Sequence, residues 1–150
     1  MDIKNAQLLF GGSLILSNRL QRYGDTVFED FSLKQWFLLV IIQNISEPEP
    51  SINMIAKTSG TSRQNIKKML NILFKKGFVN LVKSQNDSRA LSVSLTPKAL
   101  DYLADNEDFG VTLTERLFRG ISDADIQTVN AVYDKLFNNL DEMEKCNEKD

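Results

Sequence analysis

The sequence predicts a mainly α (α+β) fold, because most apolar residues recur every three or four positions and one short region alternates every second residue. The 150 residues, 42% hydrophobic and 25% charged, can bury one ordinary core or two small lobes folded together. No run approaches the roughly 18 consecutive apolar residues of a membrane span. The N-terminus also lacks the order of a secretory signal, so we expect a cytoplasmic protein.

The residue types that are missing argue against an enzyme. The chain has no histidine and a single cysteine, Cys146, which excludes an internal disulfide, most zinc sites and His-dependent nucleophiles. The acidic residues near Asp105, Glu107 and Asp108 have no neighbouring base or Gly-rich phosphate loop, and they are typical of a solvated helix face. We expect no catalytic residue, no metal and no cofactor.

Two helices are predicted in the first third of the chain. The first runs from about Asn5 to Tyr23, and its apolar face is wide enough to suggest burial on two sides. Ser32 and Gln35 form a capping-box pair that begins the second helix, which ends at the linker 46–50. The predicted core residues of this second helix are Leu33, Trp36, Phe37, Val40 and Ile41.

Two more helices, joined by a turn, are predicted next. Ser51 can cap a short third helix, and a turn at residues 59–61 follows it. Thr61 or Ser62 can cap a fourth helix, which Gly77 ends. The predicted inward residues of the third helix are Ile52, Ile55 and Ala56. Those of the fourth are Ile66, Met69, Leu70, Leu73 and Phe74.

Beyond the fourth helix the apolar period changes from 3.6 to 2. Residues 78–83 and 91–95 are predicted strands, joined by an exposed hairpin loop at residues 84–88. In the second strand, two serines alternate strictly with Leu91, Val93 and Leu95, which predicts one apolar and one polar face.

A helix is predicted again after Thr96, which can cap it, with Pro97 at the first helical position. We expect this helix to reach about Phe118, with Gly110 as the point where its continuity is weakest. The tail beyond about Glu144 is expected to be disordered.

The last helix, capped by Ser122, has the apolar spacing of a coiled-coil contact. A single chain has little left to cover that surface. The first and last segments carry little positive charge, so we predict that they pack against each other and against a second copy of the chain. The predicted dimerisation residues are Leu9, Leu16, Ile126, Val129, Tyr133, Leu136, Leu140 and Met143.

Charge is strongly segregated along the chain, although the net charge is only −2. Residues 1–50 carry 4 Lys+Arg against 6 Asp+Glu, residues 51–98 carry 9 against 1, and residues 99–150 carry 5 against 13. The middle block therefore has a charge of +8. Such an excess is more than solubility requires and indicates a polyanionic partner, with a merely solvated basic surface as the alternative.

The order of elements in the middle block is that of a winged helix-turn-helix, whose second helix enters the major groove of DNA. The polar face of the fourth helix suits both phosphates and base edges. Its predicted DNA-binding residues are Ser62, Arg63, Gln64, Asn65, Lys67, Lys68, Asn71 and Lys75. We predict a DNA-binding lobe at residues 32–98, with residues 1–31 and 99–146 forming a helical dimerisation lobe.

The sequence resembles the MarR family of bacterial transcriptional regulators along essentially its whole length. The resemblance rests on three stretches, namely Ile55-Ala56, residues 62–77, and Asp87-Ser88-Arg89 followed by Leu95-Thr96-Pro97-Lys98-Ala99. It implies that Arg89 contacts the minor groove with Asp87 orienting its guanidinium, and that Lys83 replaces in part a basic residue where this chain has Leu81. The alternative for Asp87 and Arg89 is a surface ion pair of little energetic value.

The resemblance also implies a mechanism. A homodimer bound to a pseudo-palindromic operator in double-stranded DNA would be released when an effector favours a lobe spacing that does not fit the DNA. Repression is the commoner mode in the family. The alternative function is a winged-helix interaction module, or anti-regulator, that docks an acidic protein.

Candidates for a small aromatic effector's pocket are Tyr23, Phe31, Trp36 and Phe37, although aromatic residues at helical spacing are more often core. Other members of the family sense oxidants through a cysteine. Cys146 is a poor candidate for that role, because the acidic tail around it disfavours the reactive thiolate.

Overall fold

The computed structural model describes residues 2–28, 31–83 and 91–147. Within these ranges it has seven helices and a two-stranded antiparallel sheet, which confirms the predicted mainly helical fold. The elements are α1 (Ile3–Val27), α2 (Leu33–Asn44), α3 (Ile52–Thr58), α4 (Arg63–Lys75), β1 (Val79–Lys83), β2 (Leu91–Leu95), α5 (Pro97–Asp105), α6 (Glu107–Leu117) and α7 (Asp123–Asn147). No helix in the described part of the chain has both the length and the apolar character needed to cross a membrane.

The chain divides into two compact units, residues 1–106 and residues 107–150. The prediction of one helix from Pro97 to about Phe118 was wrong, because the helix breaks at Asn106 rather than at Gly110. Asn106 leaves helical geometry at φ −107° and ψ 10°, and its side-chain amide donates to the carbonyl of Tyr102 at 2.8 Å. An asparagine side chain that bonds the backbone locally competes with helix propagation. The predicted dimerisation and DNA-binding lobes remain a prediction.

The core of the first unit is assembled from α2, α3, α4 and the sheet. Its fully buried large side chains include Leu38, Leu39, Ile55, Ile66, Leu70, Leu73, Val79 and Val93. Burial of an aliphatic side chain of this size contributes about 1.5–3 kcal/mol. The predicted inward residues of α3, Ile52, Ile55 and Ala56, are confirmed. This core fixes one face of α4 and leaves its opposite face at the surface.

The start of α2 is as predicted, but its buried face is not. The capping box is present, with Gln35 N donating to Ser32 Oγ at 3.2 Å and Ser32 N donating to Gln35 Oε1 at 3.2 Å. The buried residues are Leu38, Leu39 and Ile42, whereas Phe37 is 53% exposed and the other predicted core residues are half-buried. Because α2 is apolar nearly all round, its periodicity could not select the face that packs.

Two helices extend beyond their predicted ends. α1 continues through Gly24 to Val27, and a Cβ at the buried Gly24 would lie 2.5 Å from Leu33 Cβ. The missing side chain therefore allows α1 and α2 to approach closely. α7 continues to Asn147, so the expected disorder was wrong for residues 144–147.

The strands pair in the register Val79↔Leu95 to Lys83↔Leu91. Both predicted strands are confirmed, but the two faces of β2 are not divided by polarity, because Ser92 is buried while Leu91 is 37% exposed. Residues 50–51 explain the difference: Val93 N donates to the Pro50 carbonyl at 3.0 Å, and Ser51 pairs with Ser92 as an isolated bridge. This segment lies against β2 and covers the serine.

Candidate nucleic-acid interface

The turn between α3 and α4 is held by its own residues. Gly60 has φ +61°, a left-handed conformation that glycine adopts without steric cost. Ser62 is the N-cap of α4, since Asn65 N donates to Ser62 Oγ at 3.2 Å. The Asn65 side-chain amide donates to Thr61 Oγ1 at 3.1 Å. Thr61 N donates to the Ala56 carbonyl of α3 at 3.1 Å, so local hydrogen bonds fix the start of α4 relative to α3.

α4 buries an apolar stripe and exposes a polar face. Ile66, Leu70 and Leu73 are at most 1% exposed. At 3.6 residues per turn, five exposed polar residues on the side of the helix away from this stripe form one continuous surface, which the exposed Ile72 borders. We call this surface, made of Gln64, Lys67, Lys68, Asn71 and Lys75, the α4 face. The structure thus brings these predicted residues together, with Ser62 and Arg63 also exposed at the first turn.

One predicted core residue of α4 lies at the surface instead. Phe74 is 51% exposed, because it is one residue, or 100°, further round the helix than the buried Leu73. It borders the α4 face beside Asn71. α4 contains no Asp or Glu, so its exposed surface has an unopposed positive charge.

Two cations of the basic block lie over aromatic rings. Lys76 Nζ is 5.1 Å from the centroid of the Phe31 ring, and Lys98 Nζ is 4.4 Å from that of Phe78. The sequence indicates Thr96-Pro97 as a helix start and as part of the stretch at residues 95–99 that resembles the MarR family, but it does not reveal the contacts that Thr96 and Lys98 make with the end of α4. The only signal was a lysine in the first turn of α5, where a cation is unfavourable for that helix.

The predicted wing falls mostly outside the described residues. Asp87 and Arg89 are not among them, and of Lys83 the structure gives only its backbone place at the end of β1, opposite Leu91. Their role in DNA binding therefore stays a prediction.

The four aromatic residues suggested for an effector pocket have different surroundings. Phe31 is core, with its ring centroid 4.7 Å from that of Phe78 and 5.1 Å from that of Tyr102. Trp36 stacks on Phe28 at 5.2 Å, and its Nε1 is buried with no hydrogen-bond partner among the described residues. Tyr23 and Phe37 are 46% and 53% exposed, so neither is core. A pocket shared by all four stays a prediction.

The predicted dimerisation residues are uncovered in the single chain. On α1, Leu9 and Leu16 are 56% and 48% exposed. On α7, the exposed fractions are 48% for Val129, 40% for Tyr133, 42% for Leu136, 50% for Leu140 and 61% for Met143, and Ile126 is half-buried. Both helices therefore carry long apolar surfaces, as predicted. Within the described ranges, no group of three or more His, Cys, Asp or Glu residues could hold a metal ion.

This chain is similar to several transcriptional regulators. Residues 31–91 match the model of the MarR family. The HTH-type transcriptional repressor IacR of Pseudomonas putida is 25% identical over 114 residues, which are 76% of this chain and 67% of that protein.

Solved structures share the fold. A MarR/EmrR family transcriptional regulator from Acinetobacter sp. ADP1 superposes with a TM-score of 0.81 at 16% identity, covering 91% of this chain and 97% of that one. The MepR–DNA complex of S. aureus gives 0.76 at 18% identity, covering 90% and 97%. The fold shared with these structures is the winged helix predicted from the sequence.

Proposed function

We propose that this protein is a MarR-family repressor that binds double-stranded DNA in a sequence-specific manner, because residues 31–91 match the model of that family and the chain shares the fold of MarR-family regulators. The observation that carries the proposal is the α4 face, which combines three lysines with an amide at each of two positions and no carboxylate. Lysines neutralise phosphates, while Gln64 and Asn71 can make directed hydrogen bonds to base edges.

The position of the α4 face supports insertion into a major groove. The buried stripe of Ile66, Leu70 and Leu73 anchors the helix on the core, so the opposite side projects outward along its whole length. A helix of 13 residues is about 20 Å long, and its diameter of about 10–12 Å fits the major-groove width of about 12 Å. A neighbour of the same fold, MepR, was solved in complex with DNA, which supports DNA as the partner.

We further propose a homodimer on a pseudo-palindromic operator. The apolar surfaces of α1 and α7 supply the predicted contact, and two copies related by a twofold axis would present two α4 faces to successive major grooves. The predicted wing residues Asp87 and Arg89, together with Lys83, would lie beside each recognition helix. We also propose release by a small aromatic effector, as the resemblance to the family implies. Trp36 Nε1, which has no hydrogen-bond partner among the described residues, is a donor that such a ligand could use.

Selection of bound fragments from random duplex DNA at two salt concentrations tests the proposal. We expect enrichment of a palindrome whose half-sites are about 10 base pairs apart. Affinity should fall steeply with salt as counterions are released from the phosphates. Recovery of no duplex at low salt would contradict DNA binding and would favour an acidic protein as the partner of the basic block.

Repression and effector release need separate measurements. A reporter gene placed behind the selected palindrome should be less active when the protein is present, whereas higher activity would identify an activator. Titration with small aromatic acids and phenols should weaken binding to the selected duplex if the effector mechanism holds. No change with any such compound would contradict that part of the proposal.

A further inference from the structure

The last turn of α4 is held by the first residues of α5. Lys76 is the C-cap of α4, and Gly77 follows with φ +77°. Three consecutive carbonyl oxygens then accept hydrogen bonds: that of Lys76 from Lys98 Nζ at 2.9 Å, that of Gly77 from Thr96 Oγ1 at 2.8 Å, and that of Phe78 from Thr96 N at 3.1 Å. We call Thr96 and Lys98 the α5 clamp.

The α5 clamp acts just beyond the last turn of α4. The carbonyls of Ile72, Leu73 and Phe74 already accept from the amides of Lys76, Phe78 and Gly77. The clamp supplies donors to the carbonyls that follow, and the first of these, on the C-cap Lys76, belongs to the negative end of the helix dipole. The Thr96 hydroxyl has two functions, since it donates to the Gly77 carbonyl and accepts from Ala99 N at 3.2 Å as the cap of α5. One side chain thereby fixes the end of one helix to the start of another.

A lysine at position 98 is explained by its contacts with the end of α4, and not by any stabilisation of α5. Lys98 is the second residue of α5, where the positive end of that helix disfavours a cation. Its ammonium instead meets the carbonyl end of α4 and lies 4.4 Å from the ring centroid of Phe78, which is 5% exposed. Phe78 in turn packs on Phe31 and Tyr102, with ring centroids 4.7 and 5.6 Å apart. The lysine therefore connects α4, β1 and α5.

We propose that Lys98 is a positioning residue that orients α4 for DNA and is not itself a phosphate ligand. The inference rests on the proposed function. A lysine that contacts phosphate changes the salt dependence of binding, because it releases a counterion. A lysine that orients the recognition helix changes the preference for the correct sequence and leaves the salt dependence intact. The two roles therefore predict different measurements.

The test compares Lys98→Met, which keeps an apolar stem over Phe78 but removes the ammonium, with Lys68→Met on the α4 face. The probes are the duplex enriched in the selection and a scrambled duplex of the same length and composition. We expect Lys98→Met to lower the affinity for the selected duplex about tenfold. The salt dependence of that affinity and the affinity for the scrambled duplex should stay unchanged. Lys68→Met should lower the affinity for both duplexes and should reduce the slope of log affinity against log salt concentration by about 0.9.

Rescue separates positioning from simple loss of structure. Lys98→Gln keeps a side-chain donor and should recover most of the affinity for the selected duplex. A variant that is merely less folded would lose affinity for both duplexes in the same proportion. If Lys98→Met does not fold, Lys98→Leu takes the place of that variant in every comparison, because leucine also keeps an apolar contact with Phe78.

Hydrogen exchange gives a readout that needs no DNA. The amides of residues 74–78 should exchange at least threefold faster in Lys98→Met than in the parent, and no faster in Lys68→Met. A fall of about 0.9 in the salt slope of Lys98→Met, or parental affinity for the selected duplex, would overturn the positioning role. Unchanged exchange would overturn the α5 clamp. If the parent protein binds no duplex, the proposed function fails while exchange still decides whether the α5 clamp holds α4.

Discussion

The residues of the α4 face divide by the kind of contact each can make. Lys67, Lys68 and Lys75 are exposed, so they act on a duplex mainly through charge. Gln64 and Asn71 are neutral and can discriminate bases by about 1–3 kcal/mol for a good bidentate contact. Loss of a lysine should therefore weaken binding to all sequences, whereas loss of an amide should relax specificity.

The double variant Lys67→Ala/Lys68→Ala tests the charge on this face. We expect operator affinity to fall tenfold or more and the salt slope to fall by about 1.8, because two phosphate contacts are lost. Gel-shift titrations at several salt concentrations measure both quantities. Lys135→Ala/Lys145→Ala on α7 removes the same charge away from the predicted DNA-binding residues and should retain most of the affinity. Equal losses in the two double variants would contradict a specific role for the α4 face.

Arg89 in the predicted wing is the second test at the scale of single residues. Arg89→Ala should weaken operator binding tenfold or more without unfolding the protein, because a planar guanidinium suits a narrow and negative minor groove. Arg89→Lys keeps the charge but not that shape, so it should restore only part of the affinity. The same titrations, with circular dichroism as the check on folding, measure the effect. If Arg89→Ala binds the operator with parental affinity, Arg89 does not contact the DNA, and the alternative of a surface ion pair with Asp87 is favoured.

At the scale of elements, the contact between α1 and α2 depends on a residue with no side chain. Gly24→Ala would place a methyl group 2.5 Å from Leu33 Cβ, so the two helices would have to separate. We expect a loss of about 1–3 kcal/mol in the free energy of unfolding, measured by urea denaturation.

Gly11 in the same helix, on the side away from Leu9 and Leu16, provides the matched control. A Cβ there would have nothing within 4 Å outside the local helix, so only helix propensity should change. Gly11→Ala should therefore be neutral or stabilising by up to about 1 kcal/mol. Equal destabilisation by the two substitutions would show that the close approach at Gly24 is not what limits stability.

At the scale of the whole molecule, the exposed apolar surfaces of α1 and α7 predict that the functional unit contains two chains. Leu136 is 42% exposed in the single chain and lies in the predicted dimer contact. Leu136→Glu would bring a charge into that contact and should shift the protein to monomer, as measured by sedimentation velocity. Binding to the palindrome should fall with it, since one α4 face alone contacts only one half-site.

Asn138→Glu adds the same group on the opposite side of α7 and is the matched control. It should stay dimeric and should bind the palindrome with nearly parental affinity. A parent chain that sediments as a monomer at micromolar concentration would contradict the dimer, and a dimeric Leu136→Glu would place the interface elsewhere.

The sequence alone determined where most helices begin and which side of α4 is polar. Ser32, Ser51, Ser62, Thr96 and Ser122 are all caps as predicted, because a cap bonds the backbone two or three residues away and needs no distant partner. The α4 face was likewise predictable, because three buried apolar residues at helical spacing leave their opposite side at the surface.

Only the tertiary structure decided features that depend on a distant segment. Phe37 is exposed and Ser92 is buried because of what packs against α2 and β2, and neither residue's own neighbours in the sequence specify that. The sequence-based predictions name Lys98 only in the stretch that resembles the MarR family, yet its ammonium bonds a carbonyl 22 residues earlier in the chain. Caps and periodicity are local interactions, whereas burial and long-range hydrogen bonds exist only after the chain has brought separate elements together.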